Sequence, residues 1–308
     1  MMAPKYDILV VGSYTVDLIF TGLPSLPELG KEILSTGFSI APGESYNSAL
    51  AMHRLGIKIA WAGDFGNDLL SQWVLQQARL EGMDERYFIH HKRPMVRVTV
   101  AASFPSDRAF ITYQDPDPTF QAGYKALATI SAKAVFVPGL FYGNLFEKGR
   151  RFLRLRKLKL FMDGNMGSNQ VSLALLAVRK AIQGIDIFLP NAREARLLTG
   201  ESEIEKALVE LGRLCPLVVV KDGANGSYAR QDGRTTHVPT IQVVPVDTTG
   251  AGDCFNAGFL KGWLDQQPLE TCLKWGNIVG ALSTQAVGGT GYKIRMKEVL
   301  EQIDKLGG

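Results

Sequence analysis

The 308-residue sequence is poor in the residues that cross-link or metallate a fold. Its three cysteines, Cys215, Cys254 and Cys272, are an odd and widely spaced set. They exclude a disulfide framework and a zinc knuckle, and they fit a reducing cytoplasm. The four histidines, His53, His90, His91 and His237, show no metal-ligand spacing, and the adjacent His90 and His91 read as surface residues. No apolar run reaches the roughly 18 residues that cross a bilayer. The N-terminal "MMAPKYD" lacks the apolar core of a signal peptide. The expectation is a soluble, cytoplasmic protein without a membrane partner. Charge of one sign is also scarce: 34 Lys and Arg stand against 30 Asp and Glu. The densest basic run, "KGRRFLRLRKLKLF" (148–161), alternates its charges with Leu and Phe. That reads as an amphipathic helix entering a strand, not as a nucleic-acid surface.

Several motifs are missing as well. There is no P-loop and no H-E-x-x-H. "GAGDCF" (250–255) lacks the third glycine of a dinucleotide fingerprint and lies late in the chain, which argues against a nicotinamide oxidoreductase. "GESYN" (43–47) lacks the second glycine of a nucleophile elbow.

What is present is a regular alternation. "YDILVVGS" (6–13), "KIAWAGDFG" (58–66), "AVFVPG" (134–139), "LKLFMDG" (158–164), "IDIFLPN" (185–191) and "PLVVVKDG" (216–223) are short apolar runs ending in Gly, Asp, Asn or Pro. Stretches with helical spacing lie between them, such as 47–56 and 67–82, the latter with Asn67 as cap candidate. This predicts an α/β fold: a Rossmann-like, mainly parallel central sheet with helices on both faces. Ligands of such sheets bind beyond the carboxyl ends of the strands, where these polar endings fall. Two segments break the rhythm, about 18–40 and 96–113, the second alternating like a hairpin around Pro105–Arg108. They predict a small β-sheet lid, and its valine-rich "VRVTVAASF" predicts a homodimer through that lid.

The most informative stretch is "VDTTGAGDCFNAGF" (246–259). Phe255, Phe259 and Trp263 have helical spacing, so a helix starts near Gly250–Gly252. Free N–H groups at a helix start bind anions, and glycine lets an anion approach the backbone. Asp253 in the first turn is either an ordinary helix-stabilising acid or a base beside a bound phosphate.

"DTTGAGD" resembles the second signature of the ribokinase-like (pfkB-type) carbohydrate kinase family. "VVGSYTVDLI", "PGESYNSALAMHRLG" (42–56), "GDFGNDLLS" (63–71), "PNAREARLLTG" (190–200) and "VVKDGANGSY" (219–228) follow in family order over nearly the whole chain. The resemblance implies one kinase domain over 1–308, with the lid segments inserted, that transfers phosphate from ATP with Mg²⁺ to a hydroxymethyl group of a small sugar or sugar-like substrate. Under it, Asp253 matches the catalytic base, and the backbones of Gly250, Ala251 and Gly252 match the anion hole. Asn191 and Glu194 match the element that organises Mg²⁺ through water. Lys221, Gly223 and Gly226 match the nucleotide wall, and Asn277 a residue near adenine. Asp17, Gly43 and Asn47 match sugar contacts, with Arg97, Arg108 and Tyr113 of the lid as candidates to meet the substrate. Asp247 and Thr249 match positions near a monovalent cation such as K⁺ in some relatives. Asp163 and Asn165 sit at a strand end near the expected phosphates.

Other readings of these residues stay open. Asn191 with Glu194 is also a helix capping pair, and "DGANG" is also a plain hairpin turn. The chain departs from the family at Pro42, where a glycine is usual, at Pro138–Gly139 in place of an acidic residue, and at Gly167 in place of an arginine. The alternatives are a nucleoside kinase of the same family and a non-catalytic nucleotide- or sugar-binding protein on this scaffold.

Overall fold

From its first buried run onward the chain alternates strand and helix. β1 (Tyr6–Val11) is followed by two strands that leave the main sheet, β2 (Tyr14–Thr21) and β3 (Gly37–Glu44), and then by α1 (Ser45–Arg54). β4 (Ile59–Phe65), α2 (Leu69–Leu80) and β5 (Phe88–His90) return to the main sheet. A second excursion makes β6 (Arg97–Ser103) and β7 (Arg108–Gln114). Then come α3 (Gln121–Thr129), β8 (Ala132–Val137), α4 (Asn144–Arg156), β9 (Lys159–Asp163), α5 (Leu176–Ile182) and β10 (Ile187–Leu189). α6 (Ala192–Thr199), α7 (Ile204–Gly212), β11 (Leu217–Lys221), β12 (Ser227–Gln231) and β13 (Arg234–Val238) precede three closing helices, α8 (Ala251–Leu264), α9 (Leu269–Ser283) and α10 (Met296–Lys305). This computed structural model describes residues 4–104, 108–116, 119–166 and 171–305. The hairpin tip at 105–107 and Gly167 lie outside the described residues.

The main sheet has nine strands in the order β13-β12-β11-β10-β9-β8-β1-β4-β5. From β11 to β5 all neighbours are parallel, and β12 and β13 add an antiparallel hairpin. Side-chain alternation sets the layers. Ile8 and Val10 of β1 face the core shared with α1, α8 and α9, and Leu9 faces the core shared with α3 to α7. Phe136 and Val135 divide in the same way in β8, as do Val219 and Val218 in β11. Burial on both faces is why these strands read as continuous apolar runs. The chain moves outward from β1 in one direction through β4 and β5, then in the other through β8 to β11. The reversal between β1 and β8 is the switch point at which such sheets open a crevice.

The smaller sheet has the order β3-β2-β6-β7. It is wider than the segments 18–40 and 96–113 suggest, because β2 starts at Tyr14 and β3 runs to Glu44. Register places Phe38 and Ile40 of β3 opposite Phe20 and Leu18 of β2, then Val100 of β6 and Ile111 of β7, on one face. Asp17, Thr99 and Thr112 lie on the other face.

Two local expectations need correction. The cap of α2 is Asp68 rather than Asn67: its carboxylate accepts from the Ser71 N–H at 2.9 Å and from the Met95 N–H at 2.8 Å. Asp68→Ala is expected to cost about 1 kcal/mol in thermal or urea unfolding, the usual worth of a helix cap. His91 is not a surface residue: its Nε2 sits 2.7 Å from Asp64 Oδ1, beneath the start of α3, where the Ala122 N–H reaches the same carboxylate. His90 is exposed. Cys215, Cys254 and Cys272 are buried and free. Among the described residues no helix is long and apolar enough to cross a membrane.

Candidate active site

The carboxyl ends of β8 to β11 and the start of α8 enclose a cleft of about 480 Å³. That lies within the roughly 300–1,000 Å³ of small-molecule sites. Asp163 and Asn165 reach it from the end of β9, Asn191 and Glu194 from the start of α6, and Lys221, Gly223 and Gly226 from the end of β11. Gly250, Ala251, Gly252 and Asp253 form its floor, and Asn277 of α9 reaches it from behind. The strand endings converge because β9, β10 and β11 are parallel and in register, as the Asn191–Lys221 bridge shows.

Gly250 precedes α8 with φ 70°, a left-handed conformation that suits glycine. A Cβ there would lie 2.3 Å from Gly289 Cα. The first N–H groups of α8 lack intrahelical acceptors and belong to residues that line the cleft; that of Ala251 reaches the Thr248 carbonyl at 3.3 Å. Asp253 accepts a short hydrogen bond from the Ser48 hydroxyl of α1. Burial pushes its carboxyl up to about 7, with Asp163 and Glu44 adding to the rise and Ser48 and Lys221 opposing it. A carboxylic acid held near neutrality beside an anion-binding helix start can take a proton at working pH.

On the far wall, Lys221 Nζ donates to Asp163 Oδ2 at 2.7 Å and to Asn256 Oδ1 at 3.3 Å, and Asn256 also donates to Asp163. Asn191 and Glu194 do form the capping box: the Asn191 side chain accepts from the Glu194 N–H at 2.8 Å, and Glu194 Oε2 accepts from the Asn191 N–H at 2.7 Å. Capping leaves Glu194 in the cleft. Its carboxyl is pushed up to about 7, first by burial and then by Asp163. Two crowded carboxylates with amide oxygens nearby are a hard-oxygen donor set, which suits Mg²⁺ approached through water. Among the described residues no three acidic, His or Cys side chains cluster for direct metal ligation. Asn277 spends its side-chain N–H groups on the carbonyls of Val238 at 2.9 Å and Pro239 at 3.2 Å. Gly226, at the β11–β12 turn, would clash with the Val238 carbonyl if it carried a Cβ.

Asp17, Gly43, Asn47 and Arg97 do not line this cleft. They gather beside it, under the smaller sheet. Asp17 accepts from the Thr15 hydroxyl at 2.9 Å, and a Cβ on Gly43 would come within 2.4 Å of Asp17 Oδ2. Asn47 is 3 % exposed and packs against Gly289, and its Oδ1 has no hydrogen-bond partner. Arg97 donates to Glu44 Oε1 at 2.7 Å while its buried Nε makes no hydrogen bond. Asp247 and Thr249 pair with the smaller sheet. Arg108 of β7 donates to Thr249 Oγ1 at 2.6 Å and lies 3.4 Å from Asp247 Oδ1, while Asp247 also accepts from the Thr249 and Gly288 N–H groups. The guanidinium places a positive charge beside this pair.

Residues 5–294 match the sequence pattern of the pfkB family of carbohydrate kinases. The chain belongs to that family. It is a carbohydrate kinase, with the ribokinase fold. It is 25% identical to the ribokinase of Bacillus subtilis over 96% of this chain and 99% of the relative. It is 23% identical to the 2-dehydro-3-deoxygluconokinase of Haemophilus influenzae over 85% of this chain and 91% of the relative. In fold it is similar to the nucleoside kinase of Burkholderia thailandensis solved with inosine, with TM-score 0.80 at 19% identity, covering 97% of this chain and 98% of that one.

Three residues of this kinase's site are not singled out by sequence reasoning. Ser48 contacts Asp253 across a separation of 205 residues. Glu44 holds Arg97 and has φ 53° and ψ −125°, a backbone that non-glycine residues avoid. Asn256 bridges Lys221 and Asp163. Of these, only Asn256 carries a signal: it lies three positions after Asp253 and so shares its helix face.

Proposed function

We propose that the kinase binds ATP in the cleft and transfers its terminal phosphoryl group to a hydroxymethyl group of a small sugar or sugar-like acceptor lying under the smaller sheet, with Asp253 as the base. The observation that carries this reading is a carboxylate with a raised pKa in the first turn of a helix whose start forms the floor of the cleft. The N–H groups of Gly250, Ala251 and Gly252 face the transferring phosphoryl and stabilise the charge that spreads over its oxygens. Lys221, oriented by Asp163 and Asn256, adds a positive charge on the opposite side. Asp253 takes the acceptor's hydroxyl proton as the new P–O bond forms and the bond to the leaving ADP breaks. Asn191 and Glu194 would hold Mg²⁺ through water, and the ion supplies charge neutralisation for the donor phosphates when bound. Gly223 and Gly226 leave room for the nucleotide, with Asn277 bracing its pocket. Asp17, Gly43, Asn47 and Arg97 orient the acceptor.

The chain is read as one kinase domain in which the smaller sheet is an inserted lid. Closure of such a lid excludes water and protects ATP from hydrolysis. The test is ADP release across sugars, sugar phosphates, sugar acids and nucleosides. Turnover with one of them, with phosphate found on its hydroxymethyl oxygen, supports the reading. Saturable nucleotide binding with no transfer to any acceptor overturns it. A nucleoside acceptor is the second reading, favoured by the likeness to a nucleoside kinase.

The lid's outer face supports a homodimer. Phe38, Ile40, Ile111 and Tyr113 are exposed at 60%, 43%, 74% and 56%. An apolar patch of this kind marks a protein contact, and four strands carry it rather than a two-stranded flap. Sedimentation at working concentration is expected to show a dimer, and Ile111→Glu to shift it to monomer. A wild-type monomer removes the proposal.

A further inference from the structure

The acceptor side of the site has an unusual charge balance. Four carboxylates border it, Asp17, Glu44, Asp247 and Asp253, close enough to influence one another in pairs though not clustered on one point. Each raises the proton affinity of the next, Asp247 that of Asp17, Asp17 that of Glu44, and Glu44 that of Asp253. Among the described residues two guanidiniums lie against them, and both are already engaged. Arg97 lies on Glu44 at 2.7 Å, and Arg108 lies on the Asp247–Thr249 pair. Arg54, at the far end of α1, is held by Glu81 at 2.7 Å and by the Thr290 carbonyl at 2.6 Å. Lys221 belongs to the nucleotide wall and lies on Asp163.

Asp17 and Asp253 each accept from a hydroxyl, Thr15 and Ser48 respectively. Asn47 keeps a buried acceptor without a donor, and Arg97 a buried N–H without an acceptor. Buried polar groups are normally satisfied, so these are places for a ligand's polar atoms. Hydroxyl groups suit all of them, since a hydroxyl donates to a carboxylate or amide oxygen and accepts from an N–H. An anionic group could accept from the Arg97 N–H but suits none of the acceptors, Asp17, Asp253 and the Asn47 amide oxygen. It would meet acidic neighbours whose nearby guanidiniums are already paired, and like charges placed together repel.

We infer that the acceptor is an uncharged polyol, a free sugar or the sugar of a nucleoside, and that the Glu44–Arg97 and Asp247–Arg108 pairs exclude acceptors carrying phosphate or carboxylate. This rests on the kinase reading above and narrows its acceptor. Glu44 is the device that makes the lid arginine unavailable to an anion. It sits at φ 53°, a left-handed backbone that strains a non-glycine residue.

The test compares kcat/KM, from ADP release at fixed pH and ionic strength, for neutral acceptors and their charged counterparts. The probes are fructose with fructose 6-phosphate, a neutral ketose with a 2-keto sugar acid, and ribose with inosine. The best neutral acceptor is expected to exceed the best anionic one by about 100-fold or more. The ribose and inosine arms then separate a sugar from a nucleoside. An anionic acceptor that turns over best overturns the inference and leaves the kinase reading standing. Nucleotide binding without transfer to any acceptor overturns both. Glu44→Gln, which frees Arg97, is expected to narrow the neutral-to-anionic ratio by about tenfold. Glu44→Gly frees Arg97 while relieving the backbone, so it should narrow the ratio in a fully folded protein. A ratio unchanged in both variants refutes the part assigned to Glu44.

Discussion

Asp253→Asn is expected to leave the kinase folded and to lower kcat by about 10²- to 10⁴-fold, the usual worth of a positioned general base. Asparagine keeps the shape and can still pair with Ser48, but it cannot accept the acceptor's proton. The pH profile should change with it. In the parent enzyme kcat/KM rises with pH and levels off above about 7, because the carboxyl must be ionised and burial holds its pKa there. The variant's residual activity lacks that limb. Stability moves the other way. An acid whose pKa is raised on folding stabilises the protein while protonated, and that contribution is lost as pH rises from the ordinary carboxylate value through about 7. The variant carries no such penalty, so its Tm advantage over the parent grows from pH 5 to pH 8. Turnover within tenfold of the parent on the preferred acceptor would remove Asp253 from the role of base.

Gly250→Ala is expected to lower kcat by about 10²- to 10³-fold, comparable to losing oxyanion-hole donors, and to lower Tm. The left-handed backbone at φ 70° costs an alanine roughly 1–2 kcal/mol. The added methyl would also stand 2.3 Å from Gly289 Cα, so the start of α8 must move and its N–H groups lose their aim. Gly252→Ala is the control. Its φ is not left-handed, and a Cβ there would meet only the Lys221 ammonium at 3.5 Å, an ordinary contact. Purified Gly250→Ala with kcat and Tm no worse than the control contradicts the account.

Much of this site is legible in the sequence because it is local. The helix start near Gly250–Gly252 follows from a glycine run followed by apolar residues at helical spacing, and α8 begins at Ala251. The strand endings at Asp163, Asn191 and Lys221 follow from apolar runs that stop at polar residues. What the sequence hides is contact between distant segments. Arg108 touches Thr249 across 141 residues, and Ser48 touches Asp253 across 205. No periodicity encodes such pairs. The alternation of 96–113 reveals strands but not that β2 lies parallel to β6. The strain at Glu44 is hidden for another reason: its backbone is imposed by the turn from β3 into α1, not chosen by glutamate. Asp68 rather than Asn67 caps α2 because the chain reaches helical geometry one residue later than composition suggests.

The connections of the smaller sheet have a mechanical consequence. Only Gly12 and Ser13 separate β1 from β2, and β3 passes at Glu44 directly into α1. If this sheet is the lid proposed above, its motion is that of a lever about a fulcrum at Gly12 and Glu44, and opening must release the Arg108–Thr249 contact near its far end. Each of β2 and β3 has eight residues and extends about 26 Å at the usual rise per residue. A small rotation therefore carries the far ends, at Thr21 and Gly37, through a long arc. Gly43 sits beside the fulcrum and Asp17 midway along the arm, so both travel far less. Such a motion would open the mouth of the pocket widely while the contacts nearest the base keep their spacing, separating admission of the proposed acceptor from the precision of its placement.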